Sequence, residues 1–428
     1  MSTFERGIHT DGHKSLSEDK AIERMPAPAE LRIPVCQHIG GACTCLVRPG
    51  DTVKKGQLIA QSDARISANI YSPVNGTVKE IREMSDHTGI RLAHVVLEND
   101  FTDGELTLEP IEGGLTQRQA LDRIRAAGVV GMGGAAFPVH VKLEPQEDKP
   151  VDTLLINGAE CEPYITCDYR IMLDYTEQLI EGAKLIQIAC GAQRLVFAVE
   201  DNKPRAISAL QAAGVEVCVL KTKYPQGAER QLIHAVTRRK VPAGGLPRDI
   251  GVLVDNVHTA LSVYYAVRKG RTVYERVLTV SGTAVKEPRN LWVATGTPIA
   301  DVLAHCGGLT QDPRKVISGG PMMGYSQHTL DAAVTKASTA LLFLAEDEVN
   351  LSKASACINC GKCARSCPMR LMPMYIDSRS IAGDFAGAKE YYAMDCIECG
   401  CCSYVCPAKR PLVQSIRLAK KLIKARNI

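Results

Sequence analysis

The sequence predicts a multidomain α/β protein, and three observations carry that reading. Four apolar, β-branched runs between positions 153 and 254 alternate with helical stretches, the pattern of a parallel sheet covered by helices on both faces. Ahead of them, from Leu31 to about Glu98, come short strand-like runs broken by glycine and proline turns. Behind them, near the C-terminus, one cysteine run occurs twice with the same spacing. A chain of 428 residues has room for several such units, each with its own core.

Composition excludes several function classes. A hydrophobic share of 45% and a charged share of 23% are those of a globular protein. A net charge of +4 over this length is too small for a polybasic grip on nucleic acid or lipid. With six Phe and one Trp the chain lacks a stacking platform for single strands, so no nucleic-acid partner is expected. The N-terminus shows no apolar signal segment, and no run approaches the roughly 18 apolar residues of a membrane span. Any membrane association is therefore expected to be peripheral. Seventeen cysteines in such a chain fit a reducing compartment better than a disulfide framework.

Taken in order, residues 1–30 are polar and proline-dotted and predict an extended lead-in. Residues 31–110 form the first unit. Its Pro49-Gly50-Asp51-x-Val53-x-x-Gly56 turn and its Pro73-x-x-Gly76-x-Val78 strand resemble the two halves of the biotinyl/lipoyl barrel-sandwich hybrid fold. Carrier domains of that type present a lysine between the halves. Here Arg65 is nearest to that place, so a docking or structural module is expected. Residues 111–272 form the α/β unit: an amphipathic helix over 116–127, then strands at 153–156, 195–199, 215–220 and 251–254, with helices over 177–188, 205–213, 228–237 and 260–267. Residues 273–345 read as a smaller α+β unit resembling the β-grasp type called SLBB, with a helix over 299–305. Strand-like segments near Val316 and Leu341 lead on to residues 346–428, whose last helix, over 415–425, carries Lys420, Lys421 and Lys424.

Chemistry enters with the cysteines. Cys357, Cys360, Cys363 and Cys367-Pro368 follow the spacing C-x2-C-x2-C-x3-C-P, and Cys396, Cys399, Cys402 and Cys406-Pro407 repeat it. That run binds [4Fe-4S] clusters in two-cluster ferredoxins, where the fourth cysteine of each motif ligates the other cube. The expected ligand sets are Cys357, Cys360, Cys363 and Cys406 for cluster 1, and Cys396, Cys399, Cys402 and Cys367 for cluster 2. Structural zinc takes single thiolate quartets and has no need of the crossed pattern. Of the other nine cysteines, Cys36, Cys43 and Cys45 match no defensible metal spacing, and Cys401 has no assigned role.

Four polar loops follow the strands of the α/β unit or precede its first. Gly131-Met-Gly133-Gly134-Ala-Ala136-Phe137-Pro138 formally fits the dinucleotide fingerprint, but a helix precedes it where a strand is required. What remains is a glycine-dense loop able to lie close to a flat or phosphorylated ligand. Asn157-Gly-Ala-Glu160-Cys161-Glu162-Pro163, Tyr224-Pro-Gln-Gly227-Ala-Glu229 and Asp255-Asn256-Val257 lie just beyond strand ends, the edge where open α/β sheets bind ligands.

These loops, with Lys142, resemble the flavin domain of respiratory complex I's NADH-binding subunit. They are closer still to the C-subunit family of Rnf ferredoxin:NAD+ oxidoreductases, a resemblance running from about Gly7 to the C-terminus. It implies non-covalent FMN on Gly131, Gly133, Gly134, Lys142, Asn157, Glu160 and Asn256, with Lys142 near the phosphate. It implies NAD(H) at Phe137, Glu162 and Glu229. Other subunits of a membrane-embedded Rnf-type complex would be the partners, ferredoxin would act indirectly, and the chain would sit on the cytoplasmic face of the membrane. Hydride transfer would be the flavin's work, with no catalytic acid or base among the side chains. The complex I loop has arginine where this chain has Met132, and glycine where it has Ala136; loss of the cation implies weaker FMN retention. The alternatives are a soluble flavin/iron-sulfur reductase, such as cobalamin reductase, or a non-catalytic electron-wiring subunit.

Overall fold

The computed structural model describes residues 1–427. Its centre is a four-stranded parallel sheet of Thr153–Gly158, Arg194–Glu200, Val217–Leu220 and Val252–Asn256. Leu154, Leu155, Ile156, Val196 and Phe197 are fully buried, as continuous apolar strands between two helix layers must be. The helices Thr176–Cys190 and Val257–Arg268 pack closely, because Gly182 lets the backbone of Ala260 approach to where a Cβ would stand 1.9 Å from its carbonyl oxygen. The helix Cys167–Asp174 has no counterpart among the predicted elements. From Thr153–Gly158 the chain builds outward through 194–200 to 217–220, then returns to place Val252–Asn256 on the other side. The order of strands therefore reverses between 153–158 and 252–256, with Asn157 and Asn256 paired in register. A crevice opens at the C-terminal ends of strands at such a switch point.

Two small antiparallel sheets form the N-terminal unit around Leu31, Ile33, Val53, Ile59, Ile70, Val78, Val95 and Leu97. Arg65 is exposed on the turn before Ile70–Tyr71 and pairs with Glu144 at 3.5 Å. The third unit is a mixed six-stranded sheet. Its strand Ala340–Leu344, strand-like in the sequence and within the 273–345 unit, lies between Glu275–Ser281 and Lys315–Ser318, in the middle of the sheet, a central place the sequence does not indicate. The C-terminal unit is helical: Pro373–Ile381, Phe385–Glu390 and Leu412–Arg426 pack around Ile376, Ala388, Ile416, Ala419 and Ile423. Among the described residues no helix is long and apolar enough to cross a membrane.

The first thirty residues are extended, but they do not lead in from outside. Ile8 exchanges two backbone hydrogen bonds with Tyr224 at 2.8 and 2.9 Å, Gly7 N–H donates to Ser366, and Ile22–Arg24 adds a parallel edge strand beside Arg289–Ala294. This segment buries its backbone donors against three other units, and no local pattern could announce those partners.

Lys336 marks the junction of those units. Its Nζ donates to the carbonyls of Asn69 (2.7 Å) and Gly128 (2.8 Å), with no carboxylate among the described residues paired to it. Burial pushes its pKa down to about 7. The folded protein thus holds this proton less tightly than the unfolded chain, so stability is lowest below pH 7 and rises with pH toward the ordinary lysine value. Wild type should gain about 2 kcal/mol over Lys336→Met between pH 7 and 9, read as a relative shift in urea midpoints.

Candidate functional site

The crevice at the switch point holds a cavity of about 480 Å3. Its wall includes Gly131, Gly133, Phe137, Lys142, Asn157, Glu160, Glu162, Glu229 and Asn256. Of the expected flavin and nucleotide residues only Gly134 is off the wall. Its φ of +106° instead shapes the turn, in a region a residue with a Cβ avoids. A Cβ on Gly133 would press within 3.3 Å of Asn256, so this glycine keeps the loop against the strand end.

Several of these side chains build the cavity itself. Asn157 Nδ2 donates to Gly227 O at 2.8 Å, tying two loops together. Glu160 accepts from the backbone N–H of Asp168 (2.6 Å) and Tyr169 (3.3 Å), at the start of Cys167–Asp174, where a helix leaves its donors free. Asn256 caps Val257–Arg268 through its Oδ1 and donates to Asp168 Oδ2 at 2.6 Å. Glu162 accepts from Met322 N (3.1 Å) and Met323 N (3.0 Å), so its carboxylate secures a loop of the third unit. Lys142 Nζ donates to the Val254 carbonyl and approaches Asp255 at 3.3 Å and Glu229 at 3.7 Å.

Met132 does not present its side chain to the cavity. It is 1% exposed within the α/β core, its N–H donates to Thr259 Oγ1, and its carbonyl accepts from the buried guanidinium of Arg276 at 3.2 Å. A cation therefore lies beneath the glycine loop, supplied by a distant strand.

Sequence reasoning missed two lysines that hold the Glu160–Ile165 loop from behind. Lys14 Nζ donates to the carbonyls of Glu160 (2.9 Å), Glu162 (3.1 Å) and Ile165 (2.6 Å). Lys203 Nζ donates to Ala159 O at 2.6 Å and lies 3.5 Å from Glu200. The loop needs such support, since Glu160 (φ 47°) and Tyr164 (φ 67°) both adopt left-handed backbone that costs of order 1 kcal/mol or more each. Lys14 lies in the proline-dotted segment and carries no motif. Burial is the main influence on the pair: it lowers the Lys14 pKa and pushes the Glu160 carboxyl up to about 7. Glu162 is likewise pushed up to about 7 by burial.

The eight motif cysteines gather into two groups. Cys357, Cys360, Cys363 and Cys406 border one hollow; Cys367, Cys396, Cys399 and Cys402 border another, together with Cys401. The short helices Lys362–Ser366 and Cys401–Tyr404 follow glycines in left-handed backbone, Gly361 and Gly400, which turn each cysteine loop around its hollow. Ile397 and Cys399 also stand on the wall of the large cavity, and Tyr224 Oη donates to Cys399 O at 2.7 Å. Among the described residues, Glu160, Cys167 and Asp168 are the one acidic-and-thiol trio close enough to share an ion. Glu160 is already engaged at the helix start, which leaves that trio structural.

Comparison with known proteins matches the family model of the RnfC barrel-sandwich hybrid domain to residues 2–102 and that of the Nuo51 FMN-binding domain to residues 124–265. The SLBB domain matches residues 277–326, and a 4Fe-4S dicluster domain residues 350–407. The C subunit of the proton-translocating ferredoxin:NAD(+) oxidoreductase complex of Clostridium ljungdahlii is 46% identical, across 98% of this chain and 94% of that protein. The chain belongs to the C-subunit family of Rnf-type complexes. The Na(+)-translocating counterpart of Acetobacterium woodii is 42% identical over 98% of this chain and 97% of its own length. The C subunit of the ion-translocating oxidoreductase complex of Rhodobacter capsulatus is 41% identical over 97% and 82%. An air-oxidized NAD+-reducing [NiFe]-hydrogenase structure shares the fold at a TM-score of 0.50 and 18% identity, covering 72% of this chain and 61% of that one. As a member of this family the chain is an FMN- and iron-sulfur-containing oxidoreductase subunit with an electron-transfer role.

The residues present fit both groups. Asp255 Oδ2 is buried at the cavity without a hydrogen-bond partner, and the carboxyls of Asp168 and Asp255 are raised by burial. Such an acceptor-rich wall suits a ring N–H and ribityl hydroxyls. Four motif cysteines border each hollow, and four sulfurs around one small space are the donor set that an iron-sulfur cube takes.

Cys406→Ala should lower iron by about four atoms per chain while the other cluster's absorbance stays, whereas Cys401→Ala should leave iron content unchanged. Lys14→Met removes a charged donor from three carbonyls; flavin retention measured by ultrafiltration should weaken roughly tenfold or more.

Proposed function

We propose that this chain is the NAD(H)-reacting subunit of a membrane-bound, ion-translocating ferredoxin:NAD+ oxidoreductase, exchanging electrons between a nicotinamide nucleotide and its iron-sulfur centres. The observation that carries this reading is the shared wall: Ile397 and Cys399 belong both to the large cavity and to the Cys396-Cys399-Cys402-Cys367 group. Flavin, when bound, accepts two electrons as a hydride and returns them singly, which nucleotide and clusters require of a mediator between them.

The chain's own residues position and enclose. Gly131 and Gly133 leave room for a flat ring, Asn157, Glu160 and Asn256 fix the loops around it, and Lys142 offers an ammonium for a phosphate. Phe137 and Glu229 stand where a nicotinamide nucleotide can enter. Glu162 supports that entrance through its grip on Met322 and Met323. No side chain has to act as acid or base. The cysteines are assigned as in the sequence reading: Cys357, Cys360, Cys363 and Cys406 for one cluster, Cys396, Cys399, Cys402 and Cys367 for the other.

Partner subunits would supply the membrane spans and the route from ferredoxin, with this chain peripheral on the cytoplasmic face. Choice of coupling ion would belong to those partners. Relatives named for protons and for sodium ions resemble this chain almost equally, at 46% and 42% identity, and no described helix can span a bilayer.

Purified, reconstituted protein should hold about eight irons and one FMN per chain and oxidise NADH with ferricyanide as acceptor. Removal of FMN should abolish the activity and its addition restore it. Full FMN and iron content without NADH oxidation would leave only the wiring role.

A further inference from the structure

The repeated cysteine motif differs between its two copies at the position before the third cysteine. In the first copy Lys362 stands between Gly361 and Cys363; in the second, Cys401 stands between Gly400 and Cys402, a ninth cysteine that the two quartets leave unused. The surroundings differ as well. Lys362 is exposed, whereas Cys401 is fully buried, in one apolar cluster with Ile8, Tyr224 and Cys399. Cys401 borders the second hollow, and its thiol donates a hydrogen bond to the sulfur of Cys399.

A second donor reaches the same residue. Tyr224 Oη donates to the Cys399 carbonyl at 2.7 Å. Of the four cysteines in that group, Cys399 is the one on the wall of the large cavity. The first group is placed differently, since Cys357 and Cys360 are exposed and have water beside them. An iron-sulfur cube becomes more negative on reduction. Burial opposes that added charge, while water or hydrogen bonds to the ligands favour it. Cys367, Cys399 and Cys402 are buried, so at the second group the donors have to come from the protein.

We propose that Cys401 is a positioning residue acting through Cys399: its S–H, held against the ligand sulfur, offsets burial and eases reduction of the cavity-side cluster, with Tyr224 Oη as the second donor. The proposal rests on the reading of the two cysteine groups as cluster ligands. One electron enters the cube from its redox neighbour, and the S–H bond stays intact. The buried cluster beside the flavin cavity thereby remains reducible although water does not surround it.

Full-length reconstituted protein, without NADH, is titrated with dithionite in the presence of mediators and followed by electron paramagnetic resonance. The signal that survives Cys406→Ala identifies the second cluster. At the wild-type midpoint of that cluster, Cys401→Ala should hold about threefold or more oxidised than reduced cube, with iron content and the midpoint of the first cluster unchanged. Tyr224→Phe, which leaves Cys401 in place, should move the same midpoint in the same direction. Cys401→Ser, which keeps a donor, should return it toward wild type. An unmoved midpoint in either Cys401→Ala or Tyr224→Phe would overturn the proposal. So would loss of about four irons in Cys401→Ala, because a donor to a ligand is not needed to hold the cube. Wild-type protein without iron would end the reading of the cysteines as ligands. Failure of NADH to reduce the protein, with both midpoint shifts intact, would count against the proposed function and leave the role of the two donors standing.

Discussion

The Glu160–Ile165 loop is held by the ammonium group of a largely buried lysine, and the rest of the site depends on that arrangement. Lys14 Nζ satisfies three carbonyls of this one loop. With those acceptors engaged behind it, the loop turns its side chains forward: Glu160 reaches the N-terminus of Cys167–Asp174, and Glu162 reaches Met322 and Met323. An unpaired buried lysine would be costly. Here three carbonyl dipoles and a carboxylate at 4.0 Å provide the compensation. The same carbonyls, left bare, would oppose the left-handed backbone at Glu160 and Tyr164.

The N-terminal segment also joins the flavin unit to the cluster unit. Ile8 pairs with Tyr224, whose hydroxyl donates to Cys399 O, and Gly7 donates to Ser366 in the first cysteine loop. Ile8, Tyr224, Cys399 and Cys401 form one buried cluster. This strap bonds both units to one stretch of backbone. A Cβ on Gly7 would stand 2.5 Å from Tyr224 O, so the close approach requires glycine there.

Much of this was legible in the chain. The doubled cysteine spacing indicated two crossed quartets, because a short loop reaches only part of one cube, and the fold gathers the same eight residues into the same two groups. Alternating apolar runs and helices gave the parallel sheet, since a strand buried on both faces reads as a continuous apolar run. The loops beyond the strand ends were found for the same reason: strand ends are visible locally. What stayed hidden was long-range. Lys14 acts 146 or more residues away in sequence, the strand Ala340–Leu344 finds its place between distant partners, and Met132 turns inward where the resemblance expected a position facing phosphate.

The sequence alone thus determined which groups can carry the chemistry, since thiolate spacing, glycine content and apolar periodicity are local properties that can be read from a few neighbouring residues at a time. The tertiary structure decided which of those groups meet: that one cysteine quartet shares a wall with the large cavity while the other opens to solvent, and that a lysine from the first turn of the chain braces the loop between them. Those contacts join residues hundreds of positions apart, through backbone carbonyls that every residue possesses, and so no residue type betrays them in advance.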